Sequence, residues 1–199
     1  TTKQPQNRRA AEPPRSQEPR TKNQEPMVND SRWLAVVSPP NHQPPATRHQ
    51  QPTGHRPSST VIDVGCGSGI LSIAALKLGA KTVLGVDIDI ESVKNSRENA
   101  DTNGVGDELM LGAGSVSEIL AGKFAFRQAP LVVANILAPV IVRLFDAGLA
   151  DLIEAQGAIV LSGILFEQEQ SVIEAGQAKG LRLNERRQIG DWVALTMSK

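Results

Sequence analysis

Cysteine is nearly absent from this sequence: of 199 residues only Cys66 carries a thiol. A disulfide within the chain is therefore excluded, and so is a zinc site built on cysteines. A single thiol fits a reducing compartment. Histidine is missing beyond His55. No imidazole accompanies Cys66 in the second half of the chain, so it reads as a small loop residue rather than an activated nucleophile. No apolar run approaches the roughly 20 residues that span a bilayer. The first residues also lack the apolar stretch of a secretory signal. No segment repeats at a fixed period, which argues against a solenoid. These absences set the expectation of a soluble, cytoplasmic protein.

Net charge is also absent, but only as an average. The first 60 residues hold nine Lys/Arg against four Asp/Glu, and the remainder holds twelve against seventeen. The acidic second half lacks the basic face of a nucleic-acid binder. Eleven of the thirteen prolines fall in the first 60 residues, among Gln, Arg, Ser and Thr. Only Trp33–Val37 (WLAVV) is apolar enough there to pack. Such a segment buries too little apolar area to offset its ordering entropy. The expected organisation is a Pro/Gln/Arg-rich disordered tail over 1–59, with Trp33–Val37 as a short strand, and a folded domain over 60–199. A domain of about 139 residues buries roughly two-thirds of its unfolded surface.

Apolar runs alternate with helical patterns through that domain. Strands are expected at 60–64, 82–88, 108–113, 130–136 and 158–164, with helices at 69–79, 90–104, 139–157 and 166–180. Two final strands, 181–190 and 191–199, should pair antiparallel about Gly190 and Asp191. Alternation of this kind predicts a parallel α/β sheet with helices on both faces.

The turn after the first strand is the most informative segment. It reads Asp63-Val64-Gly65-Cys66-Gly67-Ser68-Gly69, and the second strand ends on Asp87, 22 positions after Gly65. Glycine allows a sharp turn and close approach of a ligand to the backbone. The helix that follows presents free N–H groups. In a parallel sheet Asp87 lies beside this turn, where a carboxylate can accept both hydroxyls of a ribose. A dinucleotide loop would read G-x-G-x-x-G. Here the third glycine comes one residue early. Asp63 before the loop suits a ligand with a positive amino group, as in S-adenosylmethionine, better than a pyrophosphate. Asn135 ends the apolar run of the fourth strand, at the lip of the same crevice, where its amide can accept from an attacking amine.

The segments VIDVGCGSGILSIAALKLGA, VLGVDIDIESVKNSRENADTNGV, LVVANILAPVI, IVLSGILFEQEQSVIEAG and GDWVALTMSK occur in this order over residues 60–199. Together they resemble the bacterial methyltransferases that modify protein eleven of the large ribosomal subunit. DVGCGSG alone marks only the wider class of S-adenosylmethionine enzymes; VANIL, LSGIL and WVAL narrow it. The resemblance implies a Rossmann-like seven-stranded methyltransferase sheet whose last strand pair is antiparallel. It implies S-adenosylmethionine as cofactor and a ribosomal protein as partner, methylated on lysine and N-terminal amines. It further implies that Gly65 and Gly67 line the cofactor, that Asp87 binds its ribose, and that Asn135 sits beside the methyl donor. The family's FGTGxHxTT loop precedes the first strand, whereas this chain has HQPPATRHQQPTGHRPSST over 42–60. Residues 1–60 do not read as the family's compact substrate-gripping domain. The alternatives are a degenerate module that binds the cofactor without turnover and a methyltransferase with another amine substrate.

Overall fold

β-branched and aliphatic runs form seven strands in one sheet. The computed structural model describes residues 59–199. The tail expected over 1–59 lies outside the described residues apart from Ser59, and so does the strand expected at Trp33–Val37. Five strands run parallel: β1 (Thr60–Val64), β2 (Thr82–Asp87), β3 (Leu109–Ala113), β4 (Ala129–Asn135) and β5 (Ile153–Leu165). β6 (Arg182–Ile189) and β7 (Trp192–Ser198) form the expected hairpin, and β7 inserts antiparallel between β5 and β6. The spatial order is β3-β2-β1-β4-β5-β7-β6. The chain grows outward from β1 to β3 and then returns to place β4 on the other side of β1. That reversal opens a crevice at the carboxyl ends of β1 and β4.

Side chains alternate between the two faces of each strand. Ile62, Leu84, Val86 and Val132 pack against Ile119 of α3 (Val116–Leu120), Phe145 of α4 (Ala138–Asp146) and Val172 of α5 (Glu169–Ala178). Val61, Val83 and Leu109 turn the other way, onto Ile73 and Leu76 of α1 (Ile70–Lys77) and Ala100 of α2 (Ile90–Thr102). Each fully buried Ile, Leu or Phe contributes about 1.5–3 kcal/mol.

Two expectations need correction. The helix expected over 139–157 ends at Asp146. Gly148 adopts φ +100° and breaks it, and a single 3-10 turn, Leu149–Leu152, leads directly into β5. Gly157, expected to close that helix, lies inside β5, where a Cβ would stand 2.9 Å from the Pro130 carbonyl oxygen. The short α3 was not expected at all. Its start is set by Ser115 and Glu118, with the Ser115 N–H donating to Glu118 Oε2 at 2.8 Å, a capping-box pattern.

Candidate active site

The glycine loop is fastened to the neighbouring strand before any ligand is considered. The N–H groups of Gly65 and Cys66 both donate to the Val86 carbonyl, at 2.8 and 3.0 Å. The Gly67 N–H donates to Asp87 Oδ2 at 2.9 Å, and the Asp89 N–H donates to Oδ1 at 2.9 Å. Each Asp87 oxygen keeps a lone pair for another donor. Gly65, Gly67 and Gly69 all have positive φ, at +75°, +54° and +80°. At Gly65 a Cβ would lie 2.7 Å from Ile136 Cγ2, so the loop passes close to the end of β4.

The far side of the loop is held by α2. Ser96 Oγ donates to the Gly67 carbonyl and Asn99 Nδ2 to the Ser68 carbonyl, both at 2.8 Å. Sequence reasoning missed these two residues. The only signal was a polar pair three apart on one face of an amphipathic helix.

Asp63 sits beneath the loop, 1% exposed. Ser72 Oγ of α1 donates to its Oδ2 at 2.6 Å, while Oδ1 has no partner among the described residues. Burial pushes the carboxyl up to about 6; the Ser72 hydrogen bonds oppose this, and the nearby Asp87 charge adds to it. Cys66 is also buried, and burial raises its thiol to about 11 despite the contact with Ser96 Oγ at 3.6 Å. It is a packed thiol, as the sequence indicated.

A cavity of about 500 Å³ opens at the carboxyl ends of β1 and β2, lined by Gly65, Asp87, Ile88, Ser115, Ile136 and Leu137 among others. That volume lies in the usual range for a small-molecule site. Of the five residues singled out by sequence, Gly65 and Asp87 line it, and Gly67 is tied to it through Asp87. Asp63 lies below it. Asn135 lines a second cavity on the other side of the β4 end, with Ser162 and Gly163. Ile88, Ser115, Ile136 and Leu137 were not foreseen, because each follows a strand end whose place in the crevice depends on the fold. A larger cavity, about 690 Å³, lies at the opposite end of β1 beside Ser59, Leu71 and Leu78. It is mostly apolar and sits away from the carboxyl strand ends, where ligands of such sheets bind. Among the described residues no cluster of His, Cys, Asp and Glu could hold a metal. No helix among them is long and apolar enough to cross a membrane.

These features suit a nucleoside-bearing ligand with an ammonium group. Asp87 offers free lone pairs to a ribose, the bare Gly65 backbone permits close approach, and the orphaned Asp63 Oδ1 lacks a cation.

The family model described as ribosomal protein L11 methyltransferase (PrmA) matches residues 49–199. The ribosomal protein L11 methyltransferase of Mannheimia succiniciproducens is 52% identical over 120 residues, covering 60% of this chain and 39% of that relative. The protein of the same name from Exiguobacterium is 40% identical over 144 residues, covering 72% of this chain and 44% of that relative. The chain thus spans less than half the length of these curated relatives. A crystal structure of ribosomal protein L11 methylase from Lactobacillus delbrueckii subsp. bulgaricus superposes with a TM-score of 0.64 at 35% identity, covering 73% of this chain and 72% of that one. The family match covers most of this chain, and the chain belongs to the ribosomal protein L11 methyltransferase family.

Proposed function

We propose that this chain is an S-adenosylmethionine-dependent protein methyltransferase acting in the cytoplasm. Its acceptor is ribosomal protein L11, methylated on lysine side chains and the N-terminal amine. Residues 60–199 form the methyltransferase domain and 1–59 a tail. The observation that carries this reading is the hydrogen bond from the Gly67 N–H to Asp87. It locks the glycine loop and a carboxylate into one unit at the mouth of a cavity, one strand away from Asn135. The names of the relatives support the choice of acceptor.

When bound, S-adenosylmethionine supplies a methyl group activated on a sulfonium. The rest is the work of this chain's residues. Asp87 accepts the ribose hydroxyls with the lone pairs its two N–H partners leave free. Gly65 and Gly67 let the cofactor lie against bare backbone. Asp63, buried beneath the loop and outside the cavity, favours the amino group through its charge rather than by direct contact. Ile88, Ile136 and Leu137 give the base an apolar wall. Asn135 accepts a hydrogen bond from the incoming amine and aims its lone pair. Direct displacement asks mainly for alignment of donor and acceptor. The amine must be neutral to react, and a carboxamide is no base, so the proton leaves to solvent.

A second reading, cofactor binding without turnover, draws on residues 42–60, where the FGTGxHxTT pattern is not found. Calorimetry with S-adenosylmethionine and transfer of labelled methyl groups to isolated L11 separate the two. Absence of binding would remove both readings. Binding without transfer would leave the second.

A further inference from the structure

One hydroxyl lies fully buried beneath the glycine loop. Ser72 is 0% exposed on α1, whose other residues are apolar except Lys77. Alanine would suit that helix better, so what serine contributes there is its bond. Ser72 Oγ donates to Asp63 Oδ2 at 2.6 Å, the length of a bond from a hydroxyl to a charged carboxylate rather than to a neutral oxygen. Room for it comes from β2. Gly85 stands opposite Asp63 in the sheet, and a Cβ there would lie 3.1 Å from Ser72 Oγ and 2.9 Å from Leu111 Cδ2.

The other elements around Asp63 do little for its charge. Its register partner on β4 is Val133. The Cys66 thiol is kept neutral by burial, and Ser96 of α2 reaches Cys66 rather than Asp63. Asp87, at the end of β2, carries a charge of the same sign. No Lys or Arg pairs with Asp63 among the described residues. Burial and Asp87 favour the neutral acid; Ser72 opposes them, through its hydroxyl and its backbone N–H.

We propose that Ser72 is a positioning residue for S-adenosylmethionine binding: by donating to Asp63 it keeps a negative charge fixed beneath the glycine loop at neutral pH. The proposal rests on the methyl-transfer reading and deepens it. Asp63 lies outside the cavity, so it acts on the ammonium and sulfonium through charge, which is felt strongly where water is excluded. A protonated Asp63 would offer a cation nothing. Ser72 therefore decides how far towards acid pH the site still takes a cationic cofactor.

The test is calorimetry on the full chain across this pH range, with S-adenosylmethionine and with 5′-methylthioadenosine, its uncharged nucleoside part. In the parent, affinity for S-adenosylmethionine should fall as pH drops through about 6, where the Asp63 carboxyl titrates. In Ser72→Ala the fall should begin about one pH unit higher or more, since losing a bond to the charged form raises the carboxyl's pKa. The two proteins should then differ about tenfold at about pH 6 and no more than about twofold at about pH 8.5. The ligand's own amino group titrates at about 7.7–8.0, equally for both proteins, so their ratio isolates Asp63. 5′-Methylthioadenosine should bind parent and variant alike at every pH. Ser72→Thr, which restores the donor, should return the parent's profile. A Ser72→Ala profile that coincides with the parent's overturns the proposal, as does an equal loss for both ligands, which would make Ser72 a packing residue only.

A ligand-free measurement tells that failure from a failure of the cofactor reading. The thermal midpoints of parent and Ser72→Ala should separate by about a further 3 °C between about pH 5 and 8, because only the ionised carboxyl loses a charged bond. A separation that does not vary with pH overturns the proposal. If the separation widens but the parent binds neither ligand, the cofactor reading falls and takes the role in binding with it, while the hold of Ser72 on the charge stands.

Discussion

Asp87 and Asp63 are both acids at strand ends, but the fold treats them oppositely. Asp87 is partly exposed and already accepts two backbone N–H groups. Replacing it with Ala removes a charged acceptor from the proposed ribose, and hydrogen bonds to charged groups contribute about 1.5–3 kcal/mol each. Calorimetry should show cofactor affinity lower by at least tenfold in Asp87→Ala, with the far-ultraviolet spectrum preserved. An unchanged Kd would remove Asp87 from the site. Asp63 is desolvated, and its carboxyl is raised to about 6 from 3.8. The native state therefore binds this proton more tightly than the unfolded chain does. The associated stability is fully present below pH 3.8 and is lost as pH rises through about 6, a penalty of about 3 kcal/mol at neutral pH. Asp89 and Glu118 shift downward and act in the opposite direction, so the measurement must be a difference. Asp63→Asn should gain thermal stability relative to the parent at pH 7, and the gap should close towards pH 4. It should also bind S-adenosylmethionine more weakly, since stability is often given up for a charged group the ligand needs. A gap that does not vary with pH would show that Asp63 does not titrate as the burial argues.

Among the elements, the bulge of β5 governs how the site is shaped. Gly163 has φ +77°, and a Cβ there would lie 2.7 Å from Asn135 Oδ1 and 2.9 Å from the Ile136 carbonyl oxygen. Backbone cannot yield as a side-chain tip can, so Gly163→Ala should cost about 2 kcal/mol and displace Asn135. Gly180 is the control, because it has φ +83° with nothing within 4 Å of its added Cβ. Gly180→Ala should lose only the left-handed backbone term, about 1 kcal/mol, and keep its methyl-transfer rate, whereas Gly163→Ala should lose rate as well. Equal rates in the two variants would separate Asn135 from the chemistry. Such elements were unequally legible. β1, β2 and β4 could be read because buried parallel strands are nearly continuous apolar runs. The loop and Asp87 could be read because their chemistry is local to two strand ends. The helix from Ala138 could not be ended correctly, since Leu149, Leu152 and Ile153 continue an apolar pattern past Gly148, and only its φ of +100° shows the break. Ser96 and Asn99 were beyond reach for another reason. Their roles come from partners tens of residues away, which periodicity does not encode.

At the scale of the whole molecule, the described residues divide the proposed work of methyl transfer unevenly. The proposed cofactor contacts all come from one continuous span, Asp63 to Leu137, folded around the switch point between β1 and β4. The proposed acceptor positioning has a narrower base: Asn135 and the β5 bulge that holds it. The stretch ahead of β1, where the family carries FGTGxHxTT, reads HQPPATRHQQPTGHRPSST. Cofactor binding and turnover should therefore separate. The chain should bind S-adenosylmethionine, because loop, carboxylate and cavity are present together. Turnover is more demanding, since misplacing the reacting groups by ~1 Å can cost about a hundredfold in rate. A crevice that the stretch ahead of β1 left open would also admit water, which weakens the electrostatics inside it. Measured beside a relative that has the FGTGxHxTT loop, this chain should show a kcat/KM on isolated L11 lower by about a hundredfold or more, while calorimetry still registers cofactor binding. If the two match within a few-fold, residues 1–60 must position the acceptor and close the crevice without the FGTGxHxTT pattern, and transplanting them onto the relative in place of its own loop should then preserve that relative's rate.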